Sequence, residues 1–91
     1  MWRLTPGQAL RFRQFDDGLV VYNDLSGDTH LLGEGAAHLL GMLQQAPCER
    51  ADLLDSLAAV HGVTRDAAFD EEADAVLSQL ASLFLIEAVP C

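Results

Sequence analysis

The apolar residues of this chain change their spacing once, near Gly33, and that change constrains the fold more than any other feature. Before it, apolar and polar residues alternate loosely, the two-residue period of a half-buried strand. After it, apolar residues recur every three or four positions, the period of an amphipathic helix. A chain of 91 residues is one domain, spanning 1–91. The order is therefore strands first and helices second, an α+β class with the two kinds of element segregated along the chain. A sheet this small is not stable alone, so one face must lie on the helices. At least one of its edges is then left to be covered, paired or used.

Three strands are expected. Residues 9–15 place Leu10 and Phe12 on one face and Arg11 and Arg13 on the other. Asp16-Asp17-Gly18 then marks a hairpin turn, because Asp and Gly tolerate positive φ. Leu19-Val20-Val21-Tyr22 is rich in strand formers, and residues 23–28 are dense in turn formers. Thr29-His30-Leu31-Leu32 makes a short third strand and completes an antiparallel meander. Three helices follow. Ala36, Leu39, Leu40 and Leu43 define one from about residue 35 to 45, stopped by Pro47. Leu53, Leu54, Leu57, Ala58 and Val60 define a second over about 49–61, with Gly62 suited to the left-handed position that ends it. Thr64 is the expected N-cap of the third, whose broad apolar stripe runs from Phe69 to Phe84. Leu85-Ile86 adds a brief extended tail, and Trp2 stands outside the first strand, capping the edge of the core.

Charge narrows the partners. Fourteen acids face five bases, all arginine, for a net −9. Arg3, Arg11 and Arg13 lie in a first segment without acids, whereas every acid follows residue 15. This balance opposes nucleic acid and anionic lipid, since both require cations on the protein. No apolar run is long enough to span a membrane or serve as a signal peptide. Two cysteines, Cys48 and Cys91, are too few for a disulfide scaffold or a four-ligand zinc site, and a reducing, cytoplasmic setting fits them. A bridge between them is open on sequence grounds.

No catalytic constellation emerges. His30, His38 and His61 sit on different expected elements and read as surface or boundary histidines. There is no His-x-x-x-His pair, phosphate loop or Cys-x-x-Cys, so no metal and no cofactor is expected. Asp70-Glu71-Glu72-Ala73-Asp74 lacks the alternating ligands of a calcium loop and reads as a solvated helix face. Asp55-Ser56-Leu57 resembles the arm-bearing site of an acyl or peptidyl carrier protein. Its serine falls in mid-helix, however, and a strand-rich start has no place in that fold.

The stretch from Val20 to Leu32, followed by Ala36-Ala37-His38-Leu39-Leu40, resembles the PqqD family, and within it the PqqD-like peptide chaperones of HPr-kinase-related systems. Trp2-Arg3-Leu4, Phe12-Arg13-Gln14-Phe15-Asp16-Asp17 and Leu85-Ile86-Glu87 fit the same pattern. The resemblance implies a winged helix-turn-helix-like fold and a non-catalytic role, that of a recognition element for ribosomally made, post-translationally modified peptides (a RiPP recognition element). A precursor's leader would add as a strand beside the third strand, in a groove walled by the third helix. The domain would then present it to a peptide-modifying enzyme or an HPr-kinase-related protein.

Carried onto this chain, the resemblance assigns Asp28, Thr29, His30, Leu31 and Leu32 to the edge. Asp70, Asp74, Leu77, Ala81 and Phe84 form the helix stripe expected to face the groove, beside a core stripe of Ala73, Val76, Leu80 and Leu83. Phe84 stands where a glycine often ends the third helix, so the helix is expected to continue through it. The acids at the start of that helix would favour a basic leader. An open edge also pairs with a second copy of the chain, giving a homodimer. A winged-helix nucleic-acid binder is the competing reading, but it would require a basic third helix.

Overall fold

The computed structural model describes residues 1–16, 18–24 and 26–90. The expected meander is present as β2 (Leu10–Phe15), β3 (Gly18–Asn23) and β4 (Thr29–Leu32), preceded by a short β1 (Trp2–Leu4). The helices are α1 (Glu34–Gln45), α2 (Arg50–His61) and α3 (Ala67–Ser82), and β5 (Ile86–Ala88) closes the chain. The three-stranded sheet has the order β2-β3-β4, antiparallel throughout. Phe15 pairs with Gly18 and Val21 with His30.

A second sheet was not expected. β1 pairs antiparallel with β5, matching Trp2 with Ala88 and Leu4 with Ile86. Trp2 also exchanges backbone hydrogen bonds with Cys48, at 2.8 and 3.0 Å, so it is a strand residue and not a lone edge cap. Three-residue strands are too short to display a period, and a pairing that joins the two ends of the chain leaves no local trace. Of the two cysteines, Cys48 is a free thiol, and Cys91 lies outside the described residues.

The core is one cluster beneath the sheet. Val21 and Leu32 from the sheet meet Leu39, Leu40 and Leu43 of α1, Leu53, Leu54 and Leu57 of α2, Leu77 and Leu80 of α3, and Leu85 and Ile86. Each helix end has a local cause. Pro47 follows α1, and Gly62 takes φ +66° after α2, where its N–H bonds to the Ala59 carbonyl and the next N–H reaches Ala58. The α3 N-cap is Asp66 rather than Thr64, and its carboxylate accepts the Phe69 N–H at 2.8 Å. Asp bonds the free N–H groups as well as Thr and adds a charge that the helix dipole favours.

One polar link fixes the sheet against the end of α3. Asn23 is buried, and its amide donates to Gln8 Oε1 at 2.9 Å. Gln8 in turn donates to the Leu85 carbonyl at 3.0 Å. The Asn23 N–H bonds to the Asp28 carbonyl at 2.9 Å. The segment after α3 is thereby tied through Gln8 to the end of β3.

Candidate functional site

β4 is an edge strand, hydrogen-bonded on one side only to β3. Which of its groups face outward follows from the ladder. The Asn23–Asp28 bond, read with the register, makes Asp28, His30 and Leu32 the residues bonded to β3. The Leu32 carbonyl accordingly lies close beside Gly18, the partner-side neighbour of Leu19. Thr29 and Leu31 therefore turn their N–H and C=O groups to the free edge. Side chains alternate the other way. Leu32 is buried and His30 half-buried on the helix-facing side, whereas Thr29 and Leu31 are exposed on the outer face.

The two edges of this sheet differ in chemistry. β2 carries Arg11 and Arg13, and charged side chains on an edge strand discourage strand addition. β4 reads Thr-His-Leu-Leu, with no obligatory charge and no proline. It packs on β3 and α1.

The residues of the expected α3 stripe have different surroundings. Leu77 is buried in the core at 1 % exposure, and Ala81 is half-buried against it. Asp74 is bound in a fork by Arg50, at 2.7 and 2.9 Å. Arg65 grips Asp70 at 2.9 and 3.0 Å and reaches Asp55 of α2 at 2.8 Å. These bonds hold both α3 carboxyls below the usual carboxylate range, with the neighbouring guanidinium as the cause in each case. Asp70 and Asp74 thus face α2 and fasten the two helices together. The opposite flank of α3 faces the start of α1. Phe69, Glu72, Ala73 and Val76 line an open cleft of about 330 Å³ with Gly35, just beyond β4, and Leu57, His61 and Val63 complete it. Glu72 is exposed there. The arginines on α2 and in the α2–α3 loop were the available signal that Asp70 and Asp74 are held in ion pairs.

α3 does not continue through Phe84. It ends at Ser82, and Phe84 has φ +61°, the one positive value among the described non-glycine residues. The Phe84 N–H bonds to the Ala81 carbonyl at 3.0 Å and the Leu85 N–H to Leu80 at 3.1 Å. This is the same closure that Gly62 makes for α2, formed here by a residue that takes a left-handed backbone at a cost of about 1 kcal/mol relative to glycine. The reason is next in sequence: Leu85 is fully buried, and its contact with Leu80 draws the chain into this turn. The Phe84 ring itself is 77 % exposed.

Other polar side chains are occupied locally. His38 lies 3.0 Å from Ser56 Oγ, so the carrier-like serine is half-buried in mid-helix with a partner. A second cleft, about 480 Å³, lies between the β2–β3 hairpin and the α1–α2 side, and its Gly18 and Leu19 stand beside the end of β4. Among the described residues, no group of three His, Cys, Asp or Glu could hold a metal ion, and no helix is long and apolar enough to cross a membrane.

No family model and no curated protein matches the sequence. A solved structure does share the fold: TbiB1 in complex with the TbiA(beta) leader peptide. It superposes with a TM-score of 0.74 at 18 % identity, over 98 % of this chain and 99 % of that one. The architecture of this chain, a small antiparallel sheet followed by three helices, is therefore that of a protein solved with a leader peptide.

Proposed function

We propose that this chain is a non-catalytic peptide-binding module that takes the leader of a ribosomally made precursor as an added strand on β4 and presents it to a modifying enzyme. The observation that carries this reading is the uncharged free edge of β4. Main-chain bonds to Thr29 and Leu31 supply affinity, and side chains entering the groove supply specificity. Asp28 to Leu32 form the edge, with His30 and Leu32 toward the groove. The facing wall is the Glu72–Val76 flank of α3, while Asp70, Asp74 and Leu77 hold that wall in place. The shared fold with a leader-bound protein supports the reading, as does the resemblance to PqqD-like chaperones.

The charge pattern disfavours a nucleic-acid role. α3 carries Asp70, Glu71, Glu72 and Asp74 and no base. A net −9 on each copy also opposes self-pairing through β4 and favours a neutral or basic strand. The test is an NMR titration with a leader peptide encoded beside this gene. Shifts should centre on residues 28–32 and the facing flank of α3. Shifts that avoid both would refute strand addition at this edge.

A further inference from the structure

The helices take one face of the β2-β3-β4 sheet, the one that carries Val21. Strand alternation and the register put Arg11, Arg13, Phe15, Val20, Tyr22 and Leu31 on the other. Phe15 and Tyr22 are exposed there, and Leu31 is 74 % exposed. Leu31 leans over Gly18, where a Cβ would stand 3.4 Å from its Cδ1, and Gly18 is the register partner of Phe15. Phe15, Gly18 and Leu31 therefore form one apolar strip across the three strands. Arg13 stands next to it. Its register partner is Val20, which pairs in turn with Leu31, and its guanidinium lies 5.7 Å from the centre of the Phe15 ring. The other four arginines each hold a carboxylate: Arg3 holds Glu87, Arg11 Asp24, Arg50 Asp74, and Arg65 both Asp55 and Asp70. Among the described residues Arg13 has no such partner, although the chain carries fourteen acids. A guanidinium resting on an aromatic ring keeps its N–H fork free for a planar carboxylate.

We infer that the outer face of this sheet docks a partner protein, whose surface sets a carboxylate on Arg13 and apolar side chains on Phe15 and Leu31. The complementarity is local: the strand residues of this face include two arginines and no acid, in a chain of net −9. The inference rests on the presenting role proposed above, and the partner of that role is the modifying enzyme. A leader added at β4 places every second side chain on this same face, beside Leu31. The enzyme then meets the domain and its peptide on one surface.

The probe is the purified peptide-modifying enzyme encoded beside this gene, titrated into the whole chain by calorimetry with and without the leader peptide. Arg13→Glu and Phe15→Ser should each weaken its binding about tenfold or more. Both residues lie on β2, with β3 between them and β4, so the leader-induced shifts at residues 28–32 should stay as in the wild type. Those shifts also show that the variants fold. Reversal of one enzyme Asp or Glu to Arg, selected from a library of such reversals, should restore binding to Arg13→Glu. If the enzyme binds both variants as tightly as the wild type, the outer face is not the dock, and the presenting role stands. If it does not bind the wild type with or without leader, the presenting role fails and this inference with it, whereas strand addition is judged separately by the leader titration. Binding of the wild type, but not of Arg13→Glu, to duplex DNA or to phosphatidylglycerol vesicles would assign the face to a polyanion and overturn the inference.

Discussion

At the residue scale, the phase of the β4 ladder makes neighbouring residues unequal. Leu31→Pro removes an N–H that faces the free edge, so it should weaken peptide binding about tenfold while leaving the β3–β4 bonds in place. His30→Pro removes a bond to Val21 inside the sheet, so its larger effect should be on stability, seen as a lower denaturant midpoint. Gly18 offers a different probe. A Cβ there would meet the Leu32 carbonyl oxygen at 2.7 Å, a backbone atom that cannot turn aside. Gly18→Ala should therefore destabilise the domain by about 1–3 kcal/mol in urea unfolding and displace the edge strand itself. Much of this was legible in the sequence: the short strand at 29–32, the turn residues before it and the left-handed Gly62 all follow from residue type. Phe84 was not. Residue type argues for a helix running through it, whereas the burial of Leu85 against Leu80, a tertiary demand, forces the turn.

At the element scale, α3 is positioned by its polar flank as much as by its core stripe. Arg65 joins Asp55 and Asp70, and Arg50 joins Asp74, so these pairs fasten α3 to α2. The two α3 carboxyls are depressed in the folded chain, so the unfolded chain binds more protons as pH falls through about 4. Their contribution is present above that range and is lost as pH drops through their lowered values. Arg65→Gln should remove part of this dependence, giving a shallower loss of stability between about pH 5 and 2 in urea titrations at stepped pH. Asp66→Ala should cost about 1 kcal/mol by loss of the N-cap bond, a change that Thr64→Ala should not reproduce. Helix existence and type were legible from the 3.6-residue period. The choice of flank was not, because a period places residues around one helix without saying what stands on either side. The β1–β5 sheet was equally hidden, since its partners are at opposite ends of the chain.

At the scale of the whole molecule, a net −9 acts as a filter on partners. It suppresses association with polyanions and with further copies of the chain, and it attracts a strand that carries bases. Affinity for such a peptide should therefore fall as salt rises, and Glu72→Gln should flatten that dependence. The central claim is that a peptide completes the sheet by bonding to Thr29 and Leu31, and amide hydrogen exchange followed by NMR tests it most directly. In the free domain the His30 and Leu32 N–H groups should exchange slowly and those of Thr29 and Leu31 quickly. In the complex with a leader peptide, Thr29 and Leu31 should become protected as well. Binding that leaves these two amides as exposed as before would contradict strand addition at this edge.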